Sequence, residues 1–289
     1  GETGAASSVS LGLGNDFLNL SGIRTGSFDG GGNTGVDTMT LTAAATLSGA
    51  ITGFETFVGG GFAVTMTGAA YNSFTTITNA AAITLSTAGT FVMQATAPLL
   101  TLANGTNVVD ATVAAAYGLT GGTAGDTFNF GAQLTIADTV DGGTGTDTIN
   151  VTDSTAVTDL NAVSNIEVLN IVNTIATAYT LAGTLLVASG ATCTIAASGA
   201  GGLTFVGANE TNGKFNITTT GEALIVTGCS MSDTVTGGAG ADIFTEAAGA
   251  TVANFDVLTN WNFDADTIDV GTGGVAVTSY AVATASSLD

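Results

Sequence analysis

Residues Asp141 to Asn150 read DGGTGTDTIN. An acid opens the stretch, three glycines bend it and a second acid closes the bend; Thr148-Ile149-Asn150-Val151 then alternates polar with apolar. Gly with Asp marks a tight turn, because Gly takes positive φ without a steric cost and Asp bonds its own backbone. Alternation of period two marks a strand with one buried face. The stretch is therefore a corner that feeds a strand, and the fold depends on how that unit recurs.

It recurs with a long period. GLGNDFLNL (Gly12 to Leu20) parallels TAGDTFNF (Thr123 to Phe130), setting Asp16 against Asp126, a shift of 110. DGGGNTGVDTMTL (Asp29 to Leu41) parallels DGGTGTDTINV, setting Asp37 against Asp147, again a shift of 110, and Glu55 falls against Glu167 at a shift of 112. A third copy starts at GGAGADIFT (Gly237 to Thr245) and runs to DADTIDV (Asp264 to Val270). The expected organisation is a first module over 1–120, a second over 121–236 and the start of a third over 237–289, read as part of a longer array. Between the acidic turns lie short alternating runs such as DTMTLT, AAITLST and FNITTT, bounded by Gly or Asn. That rhythm predicts an all-β fold, a β-solenoid of the parallel β-roll or β-helix kind with rungs of about 20 to 25 residues, each burying its apolar face on the next. A β-sandwich array is the competing architecture.

Composition narrows the function. The chain of 289 residues is 45% hydrophobic and 9% charged, which excludes ordinary disorder. It carries 23 acidic residues against Arg24 and Lys214, a net charge of −21, so a phosphate backbone would be repelled and nucleic acid is not expected as a partner. No apolar run reaches the roughly 18 residues of a membrane span. With no His, acid–base chemistry would fall to carboxylates such as Asp264, Asp266 and Asp269, so a polysaccharide-active β-helix is a lesser reading than a non-enzymatic one. Cys193 and Cys229 are read as buried thiols, with a disulfide as the alternative.

The turns have the composition of a metal site. Gly142 to Asn150 and Gly237 to Thr245 both match the nonapeptide G-G-x-G-x-D-x-U-x, in which glycines expose backbone carbonyls and the Asp adds a carboxylate. Calcium takes six to eight oxygens, more than one turn supplies but within reach of two stacked turns. The acids are spaced for stacking: Asp16 and Asp37 are 21 apart, as are Asp126 and Asp147, and Asp242 and Asp266 are 24 apart. Asp138 and Asp233 each stand nine residues before the Asp of an intact motif, Asp147 and Asp242, which places them on the opposite edge of a coil if one nonapeptide is half a turn. The expected calcium ligands are therefore Asp16, Asp37, Asp126, Asp138, Asp147, Asp233, Asp242, Asp264 and Asp266, with Gly142, Gly143, Gly145, Gly237, Gly238 and Gly240 shaping the turns. Glu55 and Glu167 are read as solvated outward residues, a ligand role being the alternative. The pairs Thr38/Thr40, Thr65/Thr67 and Thr218/Thr220 are not one rung apart, so no flat threonine array is expected.

The intact nonapeptides, their DTV context and the closing DVLTNWNFDADTIDVG (Asp256 to Gly271) resemble the calcium-binding β-roll of hemolysin-type (RTX) proteins exported by bacterial type I systems. The whole module is similar to the Thr- and Gly-rich, lysine-poor repeats of bacterial surface-layer proteins. The resemblance implies calcium, secretion to the cell surface and self-assembly into a lattice or filament, with cell-surface polysaccharide as a second partner. A segment of a calcium-dependent adhesin is the alternative that it implies.

Overall fold

The computed structural model describes residues 8–32, 35–94, 96, 99–153, 158–183, 186–220, 223–246, 256–262 and 264–269. Two parts of the third repeat, 247–255 and 270–289, lie outside the described residues, as do Asn33 and Thr34 of the first module's turn. Among the described residues are 27 strands and one helix, Gly68–Ser73. Strands that pair lie a coil apart and run parallel, as Thr148–Thr152 does on Val168–Val172. The fold is a β-solenoid. Parallel pairing without intervening helices requires the chain to return to the same edge each time, and the short Gly and Asp corners let it turn within a few residues.

Two compact units are present, Gly1–Phe128 with Gly142–Gly145 and Asn129–Asp141 with Thr146–Asp289. In the first, a buried column passes through Ala45, Val64, Ile83, Leu100 and Leu119, one residue per coil in register. A second column stacks Met39, Phe57 and Ile77. The helix replaces one corner: Thr67 caps it by accepting the Ala70 N–H at 3.1 Å, and Tyr71 packs edge-on against Phe91 with ring centres 6.0 Å apart. In the second unit Ile149, Leu169, Ile195, Ile217, Val235 and Leu258 form one column, and Tyr179, Phe205, Val226, Phe244 and Ile268 another. Each fully buried side chain of this size contributes about 1.5–3 kcal/mol. Like residues also stack outside the core, where Asn170 donates to Asn150 at 2.8 Å and Asn150 to Asn129 at 2.7 Å.

Coil length varies while register holds. Thr84 stacks on Thr101, 17 positions on, and Val168 on Thr194, 26 positions on. The spread is wider than the sequence suggests, because loops absorb extra residues outside the paired strands. Cys193 and Cys229 are both free and buried, as the thiol reading expected and the disulfide alternative did not. Burial pushes both thiols well above their ordinary range.

Candidate functional site: the acidic corners

Nearly every acid singled out above stands directly before a strand. Asp16, Asp37, Asp126, Asp138, Asp147, Asp233, Asp242 and Asp266 precede strands that start at Phe17, Thr38, Thr127, Thr139, Thr148, Thr234, Ile243 and Thr267. Asp37, Asp126, Asp138, Asp147, Asp233 and Asp242 are buried, whereas Asp16 and Asp266 are half-buried and Asp264 is exposed. The strand that follows Asp138 and the one that follows Asp147 belong to different sheets, as do those after Asp233 and Asp242. The nine-residue spacing thus carries the chain from one face of the coil to another.

A common arrangement links these acids to the coil before them. The Asp16 N–H donates to Asp37 Oδ1 at 2.7 Å, and the Asp16 carbonyl accepts the Thr38 N–H at 2.8 Å. The same two-way link joins Asp242 to Asp266, where the N–H reaches Oδ1 at 2.9 Å and Thr267 returns its N–H to the Asp242 carbonyl at 2.8 Å. It recurs between Asp37 and Glu55, Asn107 and Asp126, Asp147 and Glu167, and Asp233 and Asp256. At each of these corners a side-chain acceptor satisfies the one backbone N–H that the parallel ladder leaves out. Hydrogen bonds to an ionised acceptor are the stronger kind, about 1.5–3 kcal/mol each.

The second carboxylate oxygen often turns back into its own loop. Asp126 Oδ2 accepts from Gly122 N–H at 2.9 Å, Asp233 Oδ2 from Cys229 at 2.6 Å, Asp242 Oδ2 from Gly238 at 2.9 Å and Asp266 Oδ2 from Asn262 at 2.5 Å. Asp138 does so over a shorter span, from the Thr135 N–H at 2.8 Å and its hydroxyl at 3.0 Å. This geometry explains the glycines. A Cβ on Gly237 would meet Asp242 Oδ2 at 2.5 Å, and one on Gly121 would fall on the Gly142 carbonyl oxygen. Gly143 and Gly145 have φ of +91° and +144°, and a Cβ there would run into the backbone at Gly122 and Ala124. Gly240 is a half-buried member of the Gly237 turn.

Glu55 and Glu167 are therefore not solvated outward residues. Each stands just before a strand and takes the N–H of Asp37 or Asp147 at 2.8 and 2.9 Å. Sequence reasoning also passed over Asn107, Asp256, Glu246 and Glu210. Position before a strand was the available signal for Asn107-Val108 and Asp256-Val257. Glu210 is fully buried and accepts the N–H groups of Asn212 and Gly213 through Oε1. Around Asp233 the acids crowd: Cys229 Sγ lies 3.1 Å from Asp233 Oδ1, and Asp256 hydrogen-bonds to Glu246. Burial, then repulsion from Asp233 and Glu246, pushes the Asp256 carboxyl up to about 8. Burial likewise raises Asp233 and Asp242.

The donors are right in kind for calcium and are not gathered as a shell. Among the described residues no three His, Cys, Asp or Glu side chains converge as a metal-binding group. The chain matches no family model, curated protein or solved structure with which it was compared.

Proposed function

We propose that this chain is a secreted structural protein, a solenoid repeat that binds calcium at its acidic corners and assembles with copies of itself into a bacterial surface layer, sheath or filament. The observation that carries this reading is the coil-to-coil acid link, repeated in both units. It turns carboxylates into fixed struts between coils and leaves an anionic surplus that Arg24 and Lys214 are too few to offset. Burying an anion is costly unless hydrogen bonds or a cation compensate. The buried oxygens Asp16 Oδ2, Asp110 Oδ1 and Glu210 Oε2 have no hydrogen-bond partner, and each is a hard acceptor of the type calcium selects. A cation at these corners would stabilise the folded chain in proportion to its binding, which links order to external calcium of about 0.1–1 mM.

The test is a calcium titration of chelator-treated protein, followed by far-UV circular dichroism and light scattering with magnesium as control. Calcium-specific gain of β signal, thermal stability and large particles is expected. A chain equally folded, equally stable and monomeric at every calcium concentration refutes the proposal.

A further inference from the structure

Between Glu55 and Asp110 no residue carries a charge, in a chain whose net charge is −21. Strands Ala63–Met66, Ala82–Leu85 and Leu99–Thr101 come from this segment, and in the first unit they lie in one sheet between Thr38–Leu47 and Gly118–Thr120. Their inward residues form the Val64 column. Outward, Thr46, Thr65, Thr84, Thr101 and Thr120 stand in file in register, one per coil, with spacings of 19, 19, 17 and 19 residues. A threonine row in register is therefore present; it shares Thr65 with the T-x-T pairs and otherwise uses different threonines. Beside it Ala63, Ala82, Leu99 and Gly118 form a second outward file. At one end of this face is a shallow hollow of ≈ 280 Å³, lined among others by Gly22, Ile23, Ala44 and Ala63. Leu99 projects from it further along, 58% exposed.

We propose that this face is the contact by which one copy of the chain meets a second, related by a two-fold axis. The inference rests on the self-assembly reading and names the surface it uses. Two argued features select a second copy as the occupant. Copies with so large a like charge repel each other wherever carboxylates face, and the five strands of this face carry none. The face is also self-complementary in shape. In a two-fold pairing with the axis between Ala63–Met66 and Ala82–Leu85, strand Leu99–Thr101 of one copy opposes Thr38–Leu47 of the other, about 14 Å from its own counterpart at strand spacing. That places each Leu99 over the other copy's hollow at Ala44, while the small Thr and Ala files allow two sheets to pack closely. The paired stretches of the five strands, three or four residues each, offer roughly 300 Å² per copy, well under the roughly 800 Å² of a standard complex. A single contact is weak, and it becomes effective where many are made together.

The test is sedimentation velocity and light scattering of the full chain over a concentration series in calcium. Leu99→Asp is expected to weaken association at least tenfold and Leu99→Ala several-fold, with β signal and melting unchanged. Ile225→Asp, which puts the same charge on an exposed strand position of the second unit, is expected to leave association as in wild type. If wild type associates and Leu99→Asp behaves as Ile225→Asp does, this face is not the contact and the assembly reading stands. If wild type stays monomeric throughout, both fall.

Discussion

At the scale of single residues, the corner glycines and acids are tied to different neighbours and fail differently. Gly121→Ala puts a Cβ onto the Gly142 carbonyl, and backbone cannot swing aside as a side-chain tip can. A loss of about 1–3 kcal/mol is expected in denaturant unfolding, whereas Gly12→Ala, with nothing within 4 Å, is expected to stay within about 0.5 kcal/mol of wild type. Asp242→Ala strips the acceptor from the N–H groups of Leu224 and Gly238 together. At about 1–3 kcal/mol per orphaned donor, a loss of about 2–6 kcal/mol follows, with Asp242→Asn in between. Asp256 sets a pH dependence. Its folded pKa of about 8 lies above the unfolded value near 3.9, so folding takes up a proton. Stability through this group is full below about pH 4 and is lost as pH rises through about 8. Melting temperatures of chelated protein are expected to fall across that window, and less steeply in Asp256→Asn.

At the scale of the element, the acid-before-strand rhythm was legible because it is local: a turn residue, an acid and an alternating run leave a mark within nine positions. What that acid does was not legible. A carboxylate before a strand can face solvent, a metal or the preceding coil, and only the stacking of coils shows that Asp37 and Glu55 take each other's place in one chain of bonds. The threonine file was hidden for a related reason. Its members are 17 or 19 apart, and no fixed period finds them once loops differ in length. Register is what the elements conserve, and that can be tested by excision. Removing residues 66–84, one coil of 19, brings Leu85 to the place of Met66, its in-register partner. The shortened chain is expected to fold with a cooperative transition. Removing one residue more sends the next strand's apolar side chains outward, and the cooperative transition is expected to be lost.

At the scale of the whole molecule, composition spoke more clearly than motif. The ratio of 23 acids to two bases bears on solubility, partners and counter-ions at once, and the repeat anchored the solenoid. Net charge also makes a prediction of its own. Raising monovalent salt from about 10 mM to 0.5 M shortens the screening length from about 30 Å to a few ångströms, so the melting temperature of chelated protein is expected to rise. A fall would mean that the buried hydrogen-bonded carboxylates, and not the surface ones, dominate the electrostatics.

The two-way link at the corners also has a direction in time. In each case the N–H that needs an acceptor belongs to the earlier coil, and the carboxylate that supplies it belongs to the later one, as Asp16 waits for Asp37 and Asp242 for Asp266. A chain emerging amino end first therefore always carries one unfinished corner at its growing tip, closed only when the next coil arrives. A chain emerging carboxyl end first presents the acceptor before the donor it serves, so the order of emergence decides which partner of each link must wait exposed to water.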